Sequence, residues 1–133
     1  MTERAKHPIH IALIDDDSSV RKAVSRLLRS HDYACSAYES AESALNDPAL
    51  LGMHCLVIDV QLSGMSGFAF RDRLLQSGIR IPSLFITGHA DLGSPDWVQS
   101  LGNTPCVQKP FDEAQLLSVI EGLLEPSRPP AAT

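Results

Sequence analysis

Short apolar runs alternate along the chain with longer stretches in which apolar residues return every three or four positions. The runs of strand length are Ile9 to Ile14, Ala34 to Tyr38, Cys55 to Ile58, Ser83 to Ile86 and Cys106-Val107. After the first run, Val20, Ala23, Val24, Leu27 and Leu28 share one helical face, while Arg21, Lys22, Arg26 and Arg29 take the other. That spacing predicts a one-sided surface helix. After the third run, Ser66 is placed to cap a helix carrying Phe68, Leu74 and Leu75, with Gly78 to end it. After the fifth, Asp112 and Gln115 have the spacing of a capping box, and Leu116, Leu117, Ile120, Leu123 and Leu124 form one stripe up to Pro126.

A strand-helix alternation repeated five times predicts an α/β fold, a doubly wound parallel five-stranded sheet. Parallel strands need crossover connections, and these are usually helical. The strand runs lack polar alternation, as expected when helices cover both faces. The fourth helix is the weakest: Gly93, Pro95 and Gly102 bracket only Asp96 to Leu101, which predicts a short or irregular helix beginning at Ser94-Pro95. Residues 1–8 read as a polar tail, 9–125 as the domain, and 126–133, rich in proline and small residues, as a tail or interdomain linker.

Composition narrows the class. With 133 residues, 44% apolar and 20% charged, the chain suits a single globular domain. A domain of this size buries roughly two-thirds of its unfolded surface, so no disulfide or structural metal is needed to hold it. Cys35, Cys55 and Cys106 are odd in number and widely spaced, as free thiols in a reducing cytoplasm would be. No apolar run approaches the ~20 residues that span a bilayer, and the N-terminus lacks a signal-peptide core, so no membrane contact is expected. A net charge of −5 offers no basic surface for direct nucleic-acid binding.

In such a sheet, ligands bind at the carboxyl ends of the strands, near the point where strand order reverses. The residues that follow the apolar runs there carry the chemistry: Asp15-Asp16-Asp17 after the first, Asp59 after the third, Thr87 after the fourth, and Lys109-Pro110 after the fifth. Converging carboxylates repel one another and raise at least one pKa, so the set asks for a hard divalent ion with oxygen ligands, Mg²⁺ being the natural choice. A phosphoryl group docked beside it would meet Thr87 and Lys109, an arrangement suited to phosphoryl transfer. Taken singly the residues are weak signals. Asp17 or Ser18 reads as a helix cap, and His89 as a solvated loop histidine.

At this point the chain, from about Ile9 to Leu124, resembles the response-regulator receiver domain of bacterial two-component signalling. The resemblance rests on Ile11-Ala12-Leu13-Ile14-Asp15-Asp16-Asp17, Leu56-Val57-Ile58-Asp59, Gly64-Met65-Ser66-Gly67, Phe85-Ile86-Thr87-Gly88-His89 and Lys109-Pro110-Phe111. Within the family it is most similar to the nitrogen-fixation-regulator type. The resemblance implies a flavodoxin-like (βα)5 fold and a phosphoryl group accepted from a sensor histidine kinase onto Asp59. It implies that Asp16 ligates Mg²⁺ directly, Asp15 mainly through water, and Gln61 through its backbone carbonyl. Thr87 becomes the switch hydroxyl, Lys109 the phosphate contact, and the Lys109-Pro110 peptide is expected to be cis. The domain would then work as a switch rather than as an enzyme on a metabolite. It would precede a helix-turn-helix DNA-binding domain and dimerise on phosphorylation.

The sequence departs from the family pattern at three places. Cys106 stands where the fifth strand usually carries a rotating aromatic. Ser63 replaces a common proline, a local change that reads as tolerable. Gly93-Ser94-Pro95 and Gly102-Asn103 replace the usual frame of the fourth helix, within which Trp97 reads as a core anchor or a partner contact. The departures at Cys106 and around Pro95 sustain an alternative, an adaptor receiver whose partner binding does not depend on phosphorylation. A phosphohydrolase with an aspartyl-phosphate intermediate would want a general acid two residues beyond Asp59, and Gln61 cannot serve.

Overall fold

The computed structural model describes residues 8–88 and 104–124. Five strands, β1 (His10–Ile14), β2 (Ala34–Tyr38), β3 (Cys55–Asp59), β4 (Ser83–Thr87) and β5 (Cys106–Gln108), form one parallel sheet in the order β2-β1-β3-β4-β5. This is the flavodoxin-like doubly wound order, reversing direction between β1 and β3. The helices among the described residues are α1 (Ser18–Ser30), α2 (Ala41–Leu45), α3 (Gly67–Gln76) and α4 (Glu113–Leu123), with a 3₁₀ turn over Pro48–Gly52. No helix among the described residues is long and apolar enough to cross a membrane.

Successive strand side chains point to opposite faces, and the sequence fills both. Ile11, Leu13, Cys55, Val57, Leu84, Ile86 and Val107 face Val24, Leu27 and Leu28 of α1 and Leu116 and Ile120 of α4. Ala12, Ile14, Leu56, Ile58 and Phe85 face Ala41 and Ala44 of α2, Leu50 of the 3₁₀ turn, and Phe70 and Leu74 of α3. The missing polar alternation in the strands is therefore the signature of a sheet covered on both sides. Burial also pushes the Cys55 thiol up to about 12, so it behaves as a core residue.

Strand boundaries agree with the sequence to within one residue. β1 opens at His10 rather than Ile9, while β3, β4 and β5 each run one residue further, to Asp59, Thr87 and Gln108. Asp17 caps α1, accepting from the Ser19 amide, and Ser66 caps α3, accepting from Ala69. Gly78 follows α3 with φ +80°, the left-handed conformation glycine adopts without a Cβ penalty.

Three helix details correct the sequence reading. Ala23 is exposed, because Val24, Leu27 and Leu28 fill the stripe that meets the sheet. Leu75 is 42% exposed, since α3 turns Gly67, Phe70 and Leu74 inward and the next position lies about 100° round the helix. Asp112 occupies the N-cap of α4, but its carboxyl makes no capping bond, so the expected box with Gln115 does not form. The helix expected between β4 and β5, with His89, Trp97 and the Gly93-Ser94-Pro95 and Gly102-Asn103 departures, lies outside the described residues, as do 1–7 and 125–133.

Candidate functional site

The carboxyl ends of β1, β3, β4 and β5 converge on one rim, so four residues far apart in sequence meet there. Asp15 follows β1 and is fully buried; Asp59 closes β3 and is 5% exposed; Thr87 closes β4 and is fully buried. Lys109 follows β5, where its amide donates to the Thr87 carbonyl at 2.7 Å. The Lys109-Pro110 peptide is cis, as the resemblance led one to expect. The ammonium lies 3.1 Å from Asp15 Oδ2 and 3.2 Å from Asp59 Oδ2, bridging two carboxylates that would otherwise repel.

Asp15, Asp16 and Asp59 each offer an oxygen, and the three lie within 4.8 Å of one another. Opposite ligands of an octahedral Mg²⁺ stand roughly 4.2 Å apart, so the donor set, hard oxygens in negative excess, fits such an ion, with a longer arm completed by water. An open cleft of about 460 Å³ lined by Asp16, Asp59, Gln61, Ser63, Gly88 and Lys109 gives access from solvent.

Electrostatics follow from this crowding. Burial first, and then the charge of Asp15, push the Asp59 carboxyl up to about 6, against the pull of Lys109 and of the Gln61 amide, which donates to Asp59 Oδ1 at 3.1 Å. Burial would lower the Lys109 pKa, but its contact with Asp15 and the charges of Asp59 and Asp15 outweigh that, so it is raised and the ammonium stays charged. Thr87 Oγ1 donates to the Gly88 carbonyl at 3.1 Å.

The loop between β3 and α3 is held by Ser63, by two glycines of the Gly64-Met65-Ser66-Gly67 stretch, and by Glu42, which sequence reasoning passed over. Ser63 donates to Asp16 Oδ2 through both its amide (3.3 Å) and its hydroxyl (3.2 Å). A proline at this position has neither donor, so the Ser63 departure fixes Asp16 rather than being a neutral change. Glu42, at the start of α2, accepts from the Met65 amide at 3.0 Å. Gly64 beside it has φ +81°, and a Cβ there would stand 2.9 Å from Glu42 Oε2. Gly67 lets α3 start against the end of β3, where a Cβ would come to 2.3 Å from the Asp59 carbonyl oxygen. The sequence signal for these was the Gly64-Met65-Ser66-Gly67 stretch; nothing local pointed to Glu42.

Cys106 opens β5 opposite Phe85 and is partly buried against the α2/α3 face. That neighbourhood is aromatic even so: Phe68 meets Phe85 edge-on with centroids 4.8 Å apart, and the Arg71 guanidinium lies 5.1 Å from the Phe85 centroid while donating to Thr104 at 2.6 Å.

The chain is similar to known proteins in sequence and in fold. A family model of the response regulator receiver domain matches residues 11–121. The chain is 36% identical over 115 residues to response regulator protein TmoT of Ectopseudomonas mendocina, covering 86% of this chain and 52% of that protein. It is 30% identical over 122 residues to transcriptional regulatory protein FixJ of Bradyrhizobium diazoefficiens, covering 92% and 60%. Among solved structures, response regulator StyR superposes with a TM-score of 0.78 at 32% identity over 89% of this chain and 60% of that one. The structure of FixJ-N gives 0.73 at 28% identity over 90% of this chain and 96% of that one. The chain thus spans about half the length of the curated relatives it matches.

Proposed function

The chain belongs to the response-regulator receiver family, and from that premise we propose that Asp59 accepts a phosphoryl group from the phosphohistidine of a sensor histidine kinase. The observation that carries this reading is the placement of Asp59 at the end of β3, within reach of two further carboxylates and 3.2 Å from an ammonium, in an open cleft. In the transfer, an Asp59 carboxylate oxygen attacks phosphorus. The phosphorus–nitrogen bond of the donor breaks, its electron pair goes to the imidazole, and an acyl phosphate forms. Asp15, Asp16, Asp59 and the Gln61 carbonyl would hold Mg²⁺, which supplies neutralisation of charge on the phosphoryl oxygens. Ser63 keeps Asp16 aimed inward, and the Gln61 amide orients Asp59 through Oδ1. Lys109 moves from bridging two carboxylates to contacting a phosphoryl oxygen. Thr87 exchanges its bond to Gly88 for one to the same group, and that inward shift is the switch.

On this reading the domain catalyses only its own phosphorylation and slow dephosphorylation, in the cytoplasm. The residues from 126 onward would link it to a DNA-binding output domain, in keeping with relatives that are response regulators and transcriptional regulators. Phosphorylation would favour a homodimer. The test is intact mass after incubation with Mg²⁺ and acetyl phosphate. Gain of one phosphoryl group in the wild type and none in Asp59→Asn is the expected result. No gain in a folded wild type, beside a receiver that does react, would overturn it in favour of a phosphorylation-independent adaptor.

A further inference from the structure

The chain carries 11 lysines and arginines, and four of them, Arg21, Lys22, Arg26 and Arg29, fall within nine residues of α1, a helix with no acidic residue. With Ser25 and Ala37 of β2 they line an open groove of about 510 Å³ between α1 and the edge strand of the sheet. None of the four forms an ion pair with a carboxylate among the described residues. Among the described residues only the Arg21 side chain of the four makes a hydrogen bond, to the Asp15 backbone carbonyl at 2.8 Å, which ties this groove to the edge of the acidic cleft.

This charge pattern works against the helix that bears it. Lys22 and Arg26 are four residues apart and Arg26 and Arg29 three, so like charges face one another. Arg21 and Lys22 also stand near the positive end of the helix dipole, where cations are disfavoured. Solubility does not require this, since the chain already has a net charge of −5. A concentrated positive strip on an otherwise acidic molecule, kept at a cost to local stability, is explained by a partner that supplies the missing negative charge.

We propose that the groove between α1 and β2 docks a short acidic polypeptide segment of a protein partner. From Arg21 to Arg29 the strip is about 12 Å long, enough for two or three carboxylates spaced along an extended chain at about 6.6 Å. The exposed carboxylates of Asp16 and Asp17 close its N-terminal end. A nucleic-acid duplex, with a charge about every 1.7 Å along a longer path, would run into them. The segment therefore lies beside the acidic cleft without entering it, and its binding does not depend on phosphorylation of Asp59.

The test is fluorescence anisotropy of a labelled deca-glutamate peptide titrated with the full chain in 50 mM NaCl. Saturable binding is expected, weakened at least tenfold by Lys22→Glu/Arg26→Glu and severalfold by 300 mM NaCl. Binding should be unchanged in Asp59→Asn and little changed in Arg73→Glu/Arg80→Glu, which makes the same net-charge change at exposed positions elsewhere. Circular dichroism checks that both double variants are folded. Equal weakening by the two double variants, no binding at 500 μM protein, or tighter binding of a ten-nucleotide oligothymidylate would each overturn the proposal.

Discussion

Replacing Asp59 by asparagine should stabilise the fold in the absence of divalent cations. The Asp59 carboxyl is raised from 3.8 to about 6, chiefly by burial and then by Asp15. A shift of this size is worth about 3 kcal/mol, the cost of ionising this group in the folded protein rather than in the unfolded chain. The native state therefore holds the Asp59 proton to higher pH than the unfolded chain does. Its contribution to stability is full below pH 3.8 and is lost as the pH rises through about 6. Asparagine keeps the side-chain shape and an acceptor for the Gln61 amide, while Lys109 keeps Asp15 at 3.1 Å. The figure of about 3 kcal/mol is already net of the Lys109–Asp59 attraction; asparagine stands in only partly for the protonated carboxyl, which leaves about 1–3 kcal/mol. At a few degrees per kcal/mol for a domain of this size, the melting temperature at pH 7.5 in EDTA should rise by about 3–10 °C. The gap should close towards pH 4.5, where wild-type Asp59 is itself protonated. It should also narrow in 10 mM MgCl₂, because a cation that binds only the folded wild type stabilises it. Thermal unfolding followed by circular dichroism across this pH range checks all three. A variant that melts below the wild type at pH 7.5, or a gap of the same size at pH 4.5, would refute the reasoning.

Gly67→Ala sets a methyl 2.3 Å from the Asp59 carbonyl oxygen, a backbone atom that cannot swing away, and should cost about 3 kcal/mol or more in urea unfolding. Asp17→Ala removes the acceptor for the Ser19 amide and should cost about 1 kcal/mol in the same assay, with Mg²⁺ affinity unchanged, since that carboxylate serves the helix and not the metal cluster. Lys109→Met leaves Asp15 and Asp59 facing each other without their shared cation. It should destabilise by about 3–5 kcal/mol at pH 7.5 and by much less at pH 5, where Asp59 can take up a proton, read as urea midpoints at the two pH values.

Local pattern carried the sheet and most of the site, for reasons visible at single positions. Strand ends were legible because Ile14-Asp15, Ile58-Asp59 and Ile86-Thr87 each pass abruptly from apolar to polar, and parallel order places all such steps on one rim. Asp15, Asp59, Thr87 and Lys109 could thus be gathered without any long-range information. The supports of the site were hidden because they act across the chain. Glu42 meets Met65 from 23 residues away and Ser63 meets Asp16 from 47, and no periodicity relates them. The capping box at Asp112 failed for the opposite reason, since its spacing was right but whether the carboxyl turns toward the helix amides is decided by geometry that spacing does not encode.

The strain and the supports belong to one device. Asp15 and Asp59 are charges that the fold buries at a cost, and one lysine bridges them without cancelling both. Whatever adds positive charge to the cleft relieves that repulsion only in conformations that keep the carboxylates converged. It therefore has the differential affinity needed to shift a conformational equilibrium. The converged arrangement is maintained through Ser63 on Asp16 and through Glu42 on Met65, both within or next to the loop that leads into α3. Relief of charge in the cleft is thereby coupled to the position of that loop. Lys109, joined through its amide to the Thr87 carbonyl, couples it equally to the ends of β4 and β5. The buried charges that weaken the resting fold are thus the reason that a cation at the rim would stabilise the strand ends in the converged arrangement they already hold.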